Sequence, residues 1–355
     1  MSDRSRSVVF TGPERVAVRE EPIPDPAPDE VRVRTTASAI SPGTELLVYR
    51  GDVPTDLSVD ETIDALTGTF DFPLAYGYAA AGRVTAVGTN VDEEWLERPV
   101  FAFRPHESHF TAAPDALVPV PDDWPLEAAA LLANVESAVN FLMDGRPVVG
   151  ERVAVFGQGV VGLLTTGLLS QFPLESLITV DLYERRRERS VAMGADEALD
   201  PTETDVVERL RSRDPTRRRA ATPERDGGDE ASGTDLAYEL TGDPDALDDA
   251  IDAMAYDSRL VVGSWYGETP VELELGGRFH RNRGELVSSQ VSTIAPRYRG
   301  RWSKERRLEV AQERLEALDP RELITHRLPV ERAPEAYRLL AERPREAIQV
   351  VFTYD

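Results

Sequence analysis

Apolar residues are unevenly patterned along this chain, and the sharpest pattern lies between residues 151 and 181. Arg152-Val-Ala-Val-Phe156 reads as a short apolar strand, Gly157-Gln-Gly159-Val-Val-Gly162 as a glycine-rich turn, and Leu163-Leu-Thr-Thr-Gly-Leu-Leu169 as the apolar helix that follows. A second apolar strand, Ser176-Leu-Ile-Thr-Val180, ends on Asp181. Upstream, residues 1–120 are mostly short strands: Val8-Val-Phe10, Arg15-Val-Ala-Val18, Glu30-Val-Arg-Val-Arg34 and the valine-rich run Ala81 to Gly88. Proline-rich links such as Pro22-Ile-Pro-Asp-Pro-Ala-Pro28 break them. From 126 to 290 strands alternate with helices, which predicts a parallel sheet, with later strands at Asp235-Leu-Ala-Tyr-Glu239 and Arg259-Leu-Val-Val-Gly-Ser264. Asp214 to Gly233 is polar and charged and reads as an exposed insertion between a helix and the next strand.

The strand–turn–helix–strand unit matches the requirements of dinucleotide binding. Gly157 permits the tight turn, Gly159 lets backbone approach a pyrophosphate, and Gly162 lets helix and strand pack closely. The first-turn amides, at Val160 and Val161, face the phosphates with the helix dipole behind them. Asp181 stands where a carboxylate accepts from an adenosine ribose.

Composition narrows the remaining classes. A chain of 355 residues suits two domains. Acids outnumber bases 64 to 40, for a formal net charge of −24, and Lys304 is the one lysine. Nucleic acid and anionic membrane both repel such a surface, so neither is expected as a partner. Arginine in place of lysine on an acidic surface points to a salt-adapted, halophilic protein. With 0 cysteines there is neither a disulfide nor a thiolate zinc site. The polar start of the chain and the absence of a long apolar run outside the βα unit lead to the expectation of a cytoplasmic protein.

Several motifs together resemble the medium-chain dehydrogenase/reductase superfamily. Ser41-Pro-Gly-Thr44-Glu45 with Tyr49-Arg-Gly51 is similar to its Cys-Gly-Thr-Asp segment, and Phe72 to Gly88 to its Gly-His-Glu strand. Tyr238-Glu-Leu-Thr241-Gly242 resembles the loop near the adenosine, and Leu323 to Leu340 the C-terminal helix entry. The Ser-Pro-Gly-Thr-Glu segment resembles that of the subgroup around bacteriochlorophyllide dehydrogenase. The resemblance implies an α/β protein: a GroES-like β-rich catalytic domain, residues 1–133 with 289–355, and a doubly wound Rossmann domain, 134–288. It also carries the expectation of a small-molecule substrate and a homodimer or homotetramer.

Departures from the family shape the expected chemistry. The three catalytic zinc ligands of the family's alcohol dehydrogenases fall at Pro42, Tyr78 and near Ala133, and the cysteine-rich structural-zinc lobe is missing. No metal is therefore expected. His106 and His109 flank Glu107, but on a strand-like stretch i and i+3 point to opposite faces, so hydrogen-bonded or solvent-facing imidazoles are the default, with one of them a candidate for lining the cleft. His280 and His326 read as structural. Without zinc, hydrogen-bond donors must stabilise the developing oxyanion. The resemblance makes Thr44 the proton-relaying hydroxyl and Ser137 a hydroxyl beside the nicotinamide, and Tyr78 replaces a ligand with a phenol. Thr44 is also a candidate helix cap, Tyr78 a filler of vacated volume, and Glu45 a helix N-terminal charge.

The cofactor-binding set is Gly157, Gly159, Val160, Val161, Gly162, Asp181, Arg186, Thr241 and Gly242. Asp181 repels a 2′-phosphate and favours NAD, while Arg185, Arg186 and Arg187 pull toward NADP, which stays open. The expected activity is zinc-independent hydride transfer between nicotinamide and a secondary alcohol/ketone. The alternatives are a quinone- or enoyl-type double-bond reductase and an inactive nucleotide-binding protein.

Overall fold

The computed structural model describes residues 4–63, 65–212 and 232–354. The insertion expected from Asp214 onward lies, up to residue 231, outside the described residues. Along the chain come β1 (Arg4–Gly12), β2 (Arg15–Pro22), β3 (Val31–Ala39), α1 (Pro42–Arg50), β4 (Leu74–Ala75) and β5 (Ala80–Val87). They are followed by β6 (Pro99–Ala102), β7 (His109–Ala112), β8 (Val118–Pro119), α2 (Leu126–Ala129) and α3 (Leu132–Gly145). The alternating part runs β9 (Arg152–Phe156), α4 (Val160–Leu169), β10 (Ser176–Val180), α5 (Glu184–Ala192), β11 (Glu197–Leu199) and α6 (Val206–Arg211). It continues with β12 (Thr234–Glu239), α7 (Pro244–Asp252), β13 (Met254–Val262) and β14 (Glu285–Ser288). The chain closes with α8 (Lys304–Leu318), β15 (Ile324–Pro329), α9 (Ala333–Glu342) and β16 (Gln349–Thr353).

Two compact units result: Met1–Asn134 with Leu315–Asp355, and Val135–Arg314. The division expected from sequence has its junctions at 133/134 and 288/289, so the two divisions differ by Asn134 and by residues 289–314, the latter grouping with the parallel sheet.

In the first unit the strands pair in the order β15-β16-β3-β5-β6-β8, with β7 on β3, beside a smaller sheet β2-β1-β4. Most neighbours are antiparallel, and β15 runs parallel to β16. Helix α1 starts with Pro42 in its first turn and stops at Gly51, whose φ of +79° lets its amide return to the Leu47 and Val48 carbonyls. Val8, Phe10, Tyr49, Tyr337 and Phe352 form the core between α1, α9 and the sheets.

In the second unit six strands lie in the order β11-β10-β9-β12-β13-β14, and each neighbouring pair is parallel. Val153 and Val155 pack with Leu177, Leu236 and Tyr238 on one face; Ala154 and Phe156 pack with Ile178, Val180 and Ala237 on the other. Both faces are covered, so β9 reads as a continuous apolar run and not as an alternation. This is the doubly wound order, with its reversal between β9 and β12, and ligands bind outside the carboxyl ends of such strands.

Candidate functional site

At the carboxyl end of β9 the three glycines do different physical work. Gly157 has φ +90°, and a Cβ there would stand 2.7 Å from the Leu240 carbonyl oxygen. A Cβ on Gly162 would stand 2.0 Å from the Gly157 carbonyl oxygen, so any side chain would separate helix from strand. A Cβ on Gly159 would meet no atom within 4 Å. That open space lies at the start of α4, where Gly159 caps the helix without a side chain. An α-helix leaves its first-turn amides without internal acceptors, so those at Val160 and Val161 suit an anion.

Asp181, at the end of β10, is buried and already engaged. One carboxylate oxygen accepts from the Gln158 amide at 2.7 Å and the other from the Tyr183 amide at 2.8 Å. A single side chain thus ties the turn after β9 to the turn after β10. Arg186 lies 3.8 Å from the same carboxylate and its guanidinium covers the Tyr183 ring at 4.8 Å. Arg187 donates to the Asp181 carbonyl at 2.9 Å and pairs with Asp200 at 2.8 Å, so it braces the strand ends.

Thr241 and Gly242 lie beyond β12 and fold around the wholly buried Glu239. One Glu239 oxygen accepts from both their amides and from the Thr241 hydroxyl. The other accepts from the Tyr266 hydroxyl at 2.8 Å. Gly242 has φ +74°, which suits glycine.

In the other unit Thr44 and Tyr78 come together: the Tyr78 hydroxyl donates to Thr44 Oγ1 over a long 3.4 Å. Burial raises the Tyr78 pKa above the ordinary phenol value, against the pull of hydroxyl contacts to Ser41 and Thr44. Thr44 does not cap α1. Ser41 is the cap residue, Pro42 opens the helix, and Thr44 lies within the first turn, its amide bonded to the Ser41 carbonyl at 3.2 Å. The proline fixes that earlier start. Glu45 is fully buried and accepts the Ser41 amide at 2.7 Å, the helix-terminal role considered from sequence. Ser137 lies half-buried on α3, in the other compact unit.

Glu45 does more than cap. It also accepts from Tyr337 at 2.5 Å and faces His106 Nε2 at 3.0 Å. His106 Nδ1 faces Ser38 Oγ at 2.7 Å, and Ser38 in turn faces the Tyr354 hydroxyl at 2.7 Å. His106 is thus a hydrogen-bonded imidazole with no exposed surface. Its ring also explains Gly77, whose φ is +105° and whose Cβ would stand 2.6 Å from it. His109 is half-buried on β7, and burial, with Arg32, Arg34 and Arg6 nearby, holds its pKa below the ordinary histidine value. Glu107 pairs with Arg104 at 3.1 Å, not with either histidine.

The donor set does not fit a catalytic zinc. Pro42 and Ala133 offer no donor, and the Tyr78 phenol is bonded to Thr44. Among the described residues no three His, Asp or Glu side chains are grouped to hold a metal. Among them, too, no helix is long and apolar enough to cross a membrane.

Sequence reasoning did not find the partners of Glu45, the role of Glu239, or the buried Arg307–Glu136 pair at 2.8 Å. Glu239 had a signal, since an acid ending a strand two residues before Thr241 lies within reach of the following amides.

The zinc-binding dehydrogenase family model matches residues 160–305. That segment excludes all three positions where zinc ligands would fall. (R,R)-butanediol dehydrogenase of Bacillus subtilis is 25% identical, over 76% of this chain and 77% of its own length. L-threonine 3-dehydrogenase of Symbiobacterium thermophilum is 25% identical, over 91% of this chain and 90% of its own. The crystal structure of an Escherichia coli CFT073 alcohol dehydrogenase complexed with NADH has the same fold, with a TM-score of 0.75 and 17% identity across 99% of this chain and 100% of that one. The chain is thus similar to zinc-binding dehydrogenases over residues 160–305, and to butanediol and threonine dehydrogenases over most of its length.

Proposed function

We propose that this protein is an NAD-dependent oxidoreductase that interconverts a secondary alcohol and a ketone without a catalytic zinc. The observation that carries the reading is the empty direction of the Gly159 Cβ at the mouth of α4, paired with Asp181 across the turn. The turn admits a pyrophosphate, the α4 amides bind it, and Asp181 and Arg186 line the adenosine side. The butanediol and threonine dehydrogenases among the relatives support a secondary alcohol as the substrate class. Structural neighbours complexed with NADH and with NADP support a nicotinamide dinucleotide, and the carboxylate of Asp181 favours NAD of the two.

When bound, nicotinamide accepts or supplies the hydride at its ring. The chain's own task is the oxygen of the substrate. Burial and the nearby Glu45 keep the Tyr78 phenol protonated at neutral pH, so Tyr78 acts as a donor to an oxyanion and not as a base. Thr44, held by Tyr78, takes the hydroxyl proton that an alcohol loses on oxidation and passes its own proton to solvent, while the hydride leaves for the nicotinamide. Ser137 is assigned to the nicotinamide side.

Calorimetric titration with NAD and NADP, followed by product analysis with racemic secondary alcohols and with enones, tests the reading. Tighter binding of NAD and a ketone product are expected, with well under one zinc per chain by elemental analysis and no loss on EDTA treatment. A saturated ketone made from an enone, nucleotide binding without any turnover, or stoichiometric zinc would each overturn it.

A further inference from the structure

Arg307, on α8, has no exposed surface, and all five of its N–H donors are used. Nε and Nη2 donate to one oxygen of Glu136 at 3.0 and 2.8 Å. Nη1 donates to the Asn140 side-chain oxygen at 2.6 Å and to the Thr293 carbonyl at 3.2 Å, and Nη2 donates to the Val291 carbonyl. Glu136 and Asn140 both belong to α3. The Asn140 amide reaches on to Asp144 at 3.1 Å and to Ser289 Oγ at 2.9 Å, and Ser289 Oγ donates to Asp144 at 2.7 Å. The Ser289 amide meets the Val262 carbonyl, at the end of β13, at 3.0 Å. Residues 289, 291 and 293, the path leaving β14, are therefore latched to α3 and α8 at three points.

Placement gives this latch a function. In a doubly wound sheet a dinucleotide lies across the carboxyl ends, one mononucleotide half on each side of the order reversal. Asp181 marks the β9–β10 side as the adenosine side, which leaves the exits of β12, β13 and β14 for the nicotinamide half. A buried ion pair is a weak source of net stability, because desolvation offsets most of its attraction. Five aimed donors do fix geometry, and here they fix two backbone carbonyls at that edge.

We propose that Arg307, with Glu136 as its counter-ion, is a positioning residue that sets the 289–293 segment to receive the nicotinamide half of the cofactor. The inference rests on the NAD reading above. It predicts a split between two ligands that share the adenosine half: NADH, and ADP-ribose, which lacks nicotinamide.

The test is the binding of both by calorimetry in wild type, Arg307→Lys and Arg307→Met. NADH should weaken at least about tenfold in each variant, the worth of one lost charge-assisted hydrogen bond. ADP-ribose should stay within about twofold. Lysine, with three donors for these acceptors, should not rescue. If Arg307→Met fails to fold because Glu136 is left buried alone, the Arg307→Met/Glu136→Leu double variant removes both charges and carries the same comparison. Equal weakening of both ligands, or no change in either, overturns the inference. Wild-type protein that binds neither ligand overturns the NAD reading itself, and this inference with it.

Discussion

His106 Nε2 lies 3.0 Å from the Glu45 carboxylate, and neither side chain has any exposed surface. Each holds elements far apart in sequence: Glu45 reaches Tyr337 on α9, and His106 reaches Ser38 on β3. His106→Leu removes one donor from a buried acid and leaves Ser38 without its ring partner. A loss of about 3 kcal/mol is expected. Urea denaturation of the variant checks it, and an unchanged midpoint would show that the contact contributes nothing.

The glycines of the turn should separate by experiment. Gly159→Val places a side chain in open space, so the protein should fold with an unchanged melting temperature yet lose nucleotide binding. Gly162→Val drives its Cβ into the Gly157 carbonyl and should lower the melting temperature instead. Intact NAD affinity in Gly159→Val would remove the phosphate cradle from the argument.

Asp181 has two duties, and two variants separate them. Asp181→Ser removes the charge that repels a 2′-phosphate and also the acceptors of the Gln158 and Tyr183 amides. Asp181→Asn keeps one acceptor. Both should raise the NADP/NAD preference, and Asp181→Ser should bind both nucleotides more weakly than Asp181→Asn. An unaltered preference in both would show that Asp181 does not read the ribose.

His109 makes a prediction about pH. Its folded-state pKa lies below the ordinary value, first through burial and then through Arg32, Arg34 and Arg6. The fold therefore favours the neutral ring. That contribution is present above the ordinary histidine pKa of about 6.5 and is lost as pH falls toward the depressed folded value. Stability measured from pH 7 to pH 5 should fall less steeply in His109→Gln than in wild type. Parallel curves would count against the assignment.

The charge of −24 makes a prediction about salt. Salt shortens the screening length from about 10 Å at 0.1 M to about 3 Å at 1 M. Molar KCl should therefore raise the melting temperature, because self-repulsion among 64 acids weakens. Coincident melts in low and molar salt would call for another account of the charge, such as a basic partner.

Legibility in the sequence followed the range of the interactions. The β9–α4–β10 unit was readable because each glycine answers to atoms a few residues away, and because two covered faces leave an unbroken apolar run. Thr44-Glu45 reads as a helix start, although Pro42 signals an earlier one. The partners of Glu45 and Arg307 left no local trace: Tyr337 lies 292 residues from Glu45, and Glu136 lies 171 from Arg307. Their types, an acid in a first turn and an arginine in a charged helix, are also what an exposed surface carries. Only tertiary packing reveals that both are buried.

Lys304, which opens α8 one turn ahead of Arg307, supplies the only side-chain amine of the protein. Amine-directed chemistry thus has a single side-chain address, on the helix that grips the exit of β14. With the N-terminal α-amine blocked, a fluorophore coupled there would need no engineered cysteine to be site-specific. It would sit beside the latch and report, in real time, whether that segment tightens when a dinucleotide arrives.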